Sequence, residues 1–184
     1  MKHHLLPLEP PYPEEISTLF EKYPRGEDGY LLRLFRVFAN SLRFLGGKGA
    51  LNLLDGQSPL TLRERELVIL RVTANNRCEY EWGVHVSIFA EAAGFTAAQV
   101  AATCSIDSVE GCWNDDESLL IACVDQLCAR ATLDNEKLEK FQSRWTQEQQ
   151  LEILALCGNY HLISFVANTA RLENEAFGAR FARN

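Results

Sequence analysis

Basic charge is scarce in this sequence. Its 184 residues carry 18 lysines and arginines against 25 aspartates and glutamates, a formal net charge of −7. Arg63, Arg65 and Arg71 come nearest to a basic cluster, and they are too scattered for the stripe that a nucleic-acid backbone requires. Nucleic acid is therefore not an expected partner. Long apolar runs are also missing. No stretch approaches the roughly 18 uncharged apolar residues that would cross a bilayer. The opening Met1-Lys2-His3-His4-Leu5-Leu6-Pro7 lacks the apolar segment of an export signal. The expected setting is the cytoplasm, with no membrane partner. There the six cysteines (Cys78, Cys104, Cys112, Cys123, Cys128, Cys157) are expected as reduced thiols. They form no Cys-x-x-Cys pair, and four histidines give no zinc-finger spacing. Alternating strand patterns are absent too, which leaves an all-α fold.

What is present is ordinary for a globular chain: 47% hydrophobic and 23% charged residues argue against a disordered or fibrous protein. A chain of this length buries roughly 70% of its unfolded surface. Four of the six prolines fall within Met1–Pro13, which reads as an extended arm, frayed or lying on a neighbouring subunit. Helices are expected over 13–23 and 30–44, followed by an interruption at Gly46, Gly47 and Gly49 and a loop over 55–59. Thr61 and Glu64 have capping-box spacing, so a helix should start there and run to Asn75. Others follow over 78–93 (ended by Gly94), 96–101, 115–131 and 135–145, with a loop over 105–114. Thr146 and Gln149 repeat the capping box ahead of a long helix to Leu172, continued by the tail. One domain is expected: residues 1–50 as arm and packing helices, 51–102 as the core helices, and 103–184 as the C-terminal helices.

Two of these helices carry polar groups on apolar faces. On the first, Glu66 falls within the arc of Leu62, Ile69, Leu70 and Val72, while Glu64 and Arg71 lie on the side expected to be solvated. A carboxylate facing the core is costly unless it is paired, hydrogen-bonded or protonated. On the second, Cys78, Trp82, His85, Phe89 and Ala92 form an inward stripe with spacings of 4, 3, 4 and 3. Glu81 flanks that stripe, four residues before His85 and within its reach. If the two helices pair antiparallel, Glu66, Cys78, Glu81 and His85 converge in a hollow walled by Trp82 and Phe89. Such a set of ionisable groups suits acid–base chemistry. Taken singly, each also reads as a satisfied core residue: a histidine on an apolar face, a glutamate paired to Arg65 or Arg71 on a neighbouring subunit, a filler cysteine.

At these residues the sequence resembles a known family. The run Pro59-Leu-Thr-Leu-Arg-Glu-Arg-Glu66-Leu-Val-Ile-Leu-Arg71, then Cys78-Glu-Tyr-Glu81-Trp-Gly-Val-His85 and Gly94-Phe-Thr-Ala-Ala-Gln-Val100, is similar to the carboxymuconolactone decarboxylase domain. The likeness is good over 51–102 and looser beyond. Relatives of alkyl hydroperoxidase D carry Glu-x11-Cys-x-x-Cys-x3-His, a spacing matched here by Glu66, Cys78, Glu81 and His85. Glu81 stands where their peroxide-attacking cysteine would be, and Tyr80 where they place a proton-relaying histidine. Both changes count against a dithiol hydroperoxidase cycle, which needs two neighbouring thiols. The decarboxylases of the family lack that cysteine pair and use histidine and acidic groups.

The resemblance implies a cofactor-free enzyme doing acid–base chemistry on a small carboxylated or lactone substrate, assembled as a homo-oligomer, trimer or hexamer. In that reading His85 is the general acid or base, Glu66 sets its protonation and Glu81 orients it or shares the proton. Tyr80, Trp82, Phe89 and His161 are expected around the pocket. No cofactor or metal is called for, since a single histidine is thin support for a metal. Two alternatives stay open: a thiol-dependent hydroperoxide reductase using Cys78, and a non-catalytic ligand-binding oligomer.

Overall fold

A computed structural model of the chain describes residues 6–48, 53, 56–105 and 111–182, and among these there are helices and no strands. The helices are α1 (Glu14–Phe20), α2 (Arg33–Phe38), α3 (Leu62–Asn75), α4 (Glu79–Phe89), α5 (Ala97–Ala102), α6 (Asp115–Arg130), α7 (Asn135–Arg144) and α8 (Gln147–Thr169). Residues 1–5 of the expected arm, Gly49, Asp55, the 50/51 boundary and the middle of the loop expected over 105–114 lie outside the described residues.

α3 is the central helix, packing against α4, α6 and α8. Its start is fixed by a complete capping box, in which the Thr61 hydroxyl accepts from the Glu64 N–H and Glu64 accepts from the Thr61 N–H. α5, α6 and α8 begin the same way, through Thr96 with Gln99, Asn114 with Glu117 and Thr146 with Gln149. The end of α3 sets the direction of α4. Arg77 takes a left-handed conformation (φ 51°), and the Cys78 N–H reaches back to the Thr73 carbonyl at 2.8 Å. This is the six-to-one bond of a Schellman ending, with arginine where glycine is usual. The chain reverses within three residues, so α4 folds back beside α3 with Cys78 as its N-cap.

Several expectations change here. The helix expected over 30–44 is only α2, and a separate π-type turn spans Phe44–Lys48. The chain turns at Asn40, whose side chain binds the Val37 and Leu6 carbonyls instead of continuing the helix. The described arm lies on its own chain: the Leu8 N–H donates to the Arg36 carbonyl and Arg36 pairs with Glu9 at 2.5 Å. Arg71, expected in solvent, is buried. It grips Asp125 of α6 at 2.6 and 2.9 Å and donates to the Thr103 and Ser105 carbonyls. α4 ends at Phe89, leaving Ala92 exposed beyond it.

The tail does not extend α8. Residues beyond Thr169 cross back over α4, where the Ala179 N–H donates to the Gly83 carbonyl at 3.1 Å and Phe181 packs on Trp82 with ring centroids 4.9 Å apart. Glu79 accepts from the Phe181 N–H and from the Asn174 side chain. Among the described residues, no helix is long and apolar enough to cross a membrane.

Candidate active site

The α3–α4 hairpin brings Glu66 against His85. Glu66 Oε2 lies 2.7 Å from His85 Nδ1, and Glu66 Oε1 accepts from Arg65 Nε–H at 3.2 Å. The other ring nitrogen, His85 Nε2, faces Glu81 Oε1 at 3.4 Å and the Tyr160 hydroxyl at 3.2 Å. The imidazole is therefore held at both nitrogens, by a carboxylate from each helix and by a phenol from α8. Cys78 closes the group one turn before Glu81. The Cys78 side chain makes no cap bond to the start of α4, and the nearby Ser164 hydroxyl donates to the Tyr160 carbonyl at 2.6 Å. None of Glu66, Cys78, Glu81, His85 and Tyr160 exposes more than 5% of its surface.

Burial alone would disfavour the charged imidazole. The hydrogen bonds and charges of Glu66 and Glu81 outweigh it, so the His85 pKa rises to about 9 and the ring is cationic at neutral pH. Two carboxylates then face two cations, Arg65 and His85, which keeps the buried cluster close to neutral. Burial pushes the Cys78 thiol up to about 11, and the Glu81 charge adds to the rise, against a smaller opposing effect of the nearby Glu81 N–H and Ser164 hydroxyl. Tyr160 is raised well above its ordinary value, first by burial and then by the two carboxylates, so its phenol keeps its proton. Glu81 Oε2 is buried without a hydrogen-bond partner.

The remaining expected residues divide. Phe89 stays at the cluster, half-buried, with its ring 5.3 Å from that of His85. Tyr80 turns away: its hydroxyl donates to Glu175 at 2.6 Å and accepts from the Leu34 N–H. Trp82 donates to the Thr103 hydroxyl at 2.9 Å and stacks on the tail. His161 faces its own helix and the surface, 3.2 Å from the Cys157 carbonyl and edge-on to exposed Phe165. Its neighbour Tyr160 is the α8 residue that joins the cluster, and Arg65 joins as well. Among the described residues, no group of three or more His, Cys, Asp or Glu side chains is arranged to hold a metal ion.

Residues 45–122 match the carboxymuconolactone decarboxylase family. No functionally curated protein matches the sequence. Among solved structures, the chain is similar to an uncharacterized peroxidase-related protein from Silicibacter sp. TM1040, with a TM-score of 0.75 and 18% identity over 93% of this chain and 90% of that one. It is also similar to the debrominase Bmp8, solved as a cysteine-to-alanine variant in complex with 2,3,4-tribromopyrrole. There the TM-score is 0.70 and the identity 16%, over 96% of this chain and 94% of that one. The apo form of Bmp8 gives a TM-score of 0.69 at 17% identity, over 94% of this chain and 92% of that one. At these identities the two proteins share the fold with this chain.

Proposed function

We propose, from the match of residues 45–122 to the carboxymuconolactone decarboxylase family and from the site's geometry, that the chain is a cofactor-free enzyme that moves protons on a small substrate at His85. The observation that carries this reading is the buried Glu66–His85–Glu81 chain, in which each ring nitrogen meets a carboxylate. Glu66 fixes Nδ1, so Nε2 is the working nitrogen. A ring cationic at neutral pH starts as the general acid, and Glu81 is the acceptor that takes a proton in return.

For a carboxylated substrate, the carbon–carbon bond to the carboxylate breaks and its electron pair passes into an adjacent carbonyl. Carbon dioxide leaves, and His85 Nε2 returns one proton to the carbon. Solvent then reprotonates the ring through Glu81. Positioned proton transfer of this kind contributes roughly 10²–10⁴-fold. The test is turnover and solvent-deuterium incorporation on a panel of small lactone and keto acids. His85→Ala and Glu66→Gln should each remove the activity while circular dichroism remains that of the wild type. Wild-type rates in both variants sink the assignment.

The thiol-based alternative is disfavoured by the raised Cys78 pKa, which leaves about one thiolate in ten thousand molecules at pH 7. Sulfenic-acid trapping with substoichiometric peroxide, with Cys78→Ser as control, decides between the two. We also propose self-association. Leu151, Leu154 and Phe165 share one face of α8 and are exposed, as a face covered by a second copy would be in the isolated chain. Light scattering should give a multiple of the chain mass that Phe165→Glu reduces.

A further inference from the structure

Two polar groups at this cluster have bonding capacity to spare, and they are of opposite kinds: Glu81 Oε2 is buried without a partner, and the Arg65 guanidinium lies at the edge of the buried region. Arg65 exposes only 10% of its side chain, and its one hydrogen bond among the described residues runs from Nε–H to Glu66 Oε1. The N–H donors on its two terminal nitrogens remain unused, four in number for any guanidinium. On the other side of His85, Glu81 Oε2 accepts nothing. A buried acceptor left unmatched, as Glu81 Oε2 is, costs about 1–3 kcal/mol.

Arg65 is not simply a counter-ion for Glu66. Adjacent residues on a helix do not face one another, so its side chain has to curl round from α3 to reach Glu66. In doing so it sets the guanidinium carbon 5.9 Å from the centre of the Phe89 ring. Phe89 is half-buried and lies against His85, so the guanidinium sits beside the half-buried ring at the edge of the cluster. A planar fork of N–H donors held there fits two oxygens of an anion. A bare carboxylate oxygen beyond Nε2 fits an O–H or N–H donor.

We propose that Arg65 is a specificity-determining residue, and that the site takes a small organic anion which also carries a hydrogen-bond donor: the anionic end on Arg65, the donor on Glu81 Oε2. The proposal rests on the cluster being the ligand site and adds the polarity of the ligand to that reading. Glu66 stays occupied by Arg65 Nε and His85, so it is not available to the donor end. That leaves Glu81 to distinguish a hydroxylated anion from a plain one.

The test uses the whole chain and three matched probes: glycolate (anion and donor), acetate (anion only) and glycolamide (donor only). Each is titrated while the His85 ring resonances are followed by NMR. Glycolate should bind about tenfold tighter than either other probe, roughly the value of one charge-assisted hydrogen-bonded contact. Arg65→Gln should bring glycolate down to glycolamide, and Glu81→Leu should bring it down to acetate. Should Arg65→Gln unfold because Glu66 loses a partner, Arg65→Lys keeps the charge without the fork. It must lower the preference for glycolate over glycolamide by roughly threefold. Equal binding of all three probes, no response of His85 to any of them, or an unchanged preference in the Arg65 variants overturns the proposal. Turnover that survives in those variants while it is lost in Glu66→Gln would leave the acid–base reading standing and remove only the role of Arg65.

Discussion

Glu66 on α3 and His85 on α4 meet at 2.7 Å, carboxylate oxygen to Nδ1, with both side chains fully enclosed. Neither residue is tolerable there alone: an unpaired buried carboxylate or imidazolium costs several kcal/mol. Together, and with Glu81 on the far nitrogen, they make a cation inside the protein the stable state. The pair also locks α3 to α4, so the geometry that prepares the chemistry contributes to the fold.

The ionisation of His85 follows from that pairing. Its ring should titrate near pH 9 instead of the ordinary 6.5, as read by ¹⁵N NMR of the imidazole. A group whose folded pKa lies above its unfolded one stabilises the fold at low pH. The His85 contribution is therefore complete below about 6.5 and is lost as the pH rises through about 9. It amounts to on the order of 3 kcal/mol. Glu66→Gln should lower the midpoint and flatten the dependence of stability on pH across that window. An unshifted titration in the variant would mean that Glu66 does not set the charge of the ring.

Tyr160 provides a finer test. Its hydroxyl lies 3.2 Å from His85 Nε2, and Phe at this position keeps the ring while removing the bond. Tyr160→Phe should cost about 1.5–3 kcal/mol in urea denaturation at neutral pH, the range for a hydrogen bond to a charged group. It should also change the Nε2 chemical shift more than that of Nδ1. Equal perturbation of both nitrogens would indicate general repacking instead of a lost contact.

The α3–α4 hairpin was legible because helical spacing converts directly into facing direction. Glu66 on an apolar arc, and Cys78, Glu81 and His85 along the next helix, are visible without coordinates. Tyr160 was hidden for a reason of the same kind. It sits on the α8 stripe of Ile153, Leu156, Ile163 and Ala167, where its ring counts as core and only its hydroxyl says otherwise. Tyr80 misleads in reverse: it falls between two site residues in sequence, yet 100° per residue turns it toward Glu175. Arg71 reads as solvated because its partner, Asp125, is 54 residues away and belongs to a contact no local pattern encodes. Arg65 reaches the site only by bending along its own helix, which side-chain direction rules do not foresee.

Glu175 marks a second buried carboxylate whose setting is wholly satisfied. It accepts from the Tyr80 hydroxyl, the Tyr30 hydroxyl, the Arg33 N–H and the Arg33 guanidinium, at 2.6 to 2.9 Å. With both oxygens occupied by donors, it ties the start of α2 and the tail to α4 and has no capacity left for a ligand. Glu175→Gln would turn a new NH₂ toward two existing donors. The expected loss is about 3 kcal/mol, the lower end for a broken buried pair because Arg33 is partly solvated. Calorimetry measures it. A loss below about 1 kcal/mol would show that the tail does not depend on this anchor.

Gly83 is the point where the tail and α4 come closest. A Cβ there would run into the Ala179 carbonyl, a backbone group that no rotamer change can move. The same stretch is held by the Ala179 N–H to the Gly83 carbonyl and by Ser87 to the Phe177 carbonyl. Gly83→Ala raises helix propensity by up to about 1 kcal/mol, so in an isolated α4 it would stabilise. In this fold the overlap should dominate, giving a net loss of about 1–3 kcal/mol as the tail is pushed off the helix. Hydrogen exchange separates the two effects. Protection should fall at Ala179 and Phe181, whose amides bond to α4, and remain on α3. A variant that is stabilised, with the tail amides still protected, would mean that the approach of the tail to α4 is looser than the structure places it.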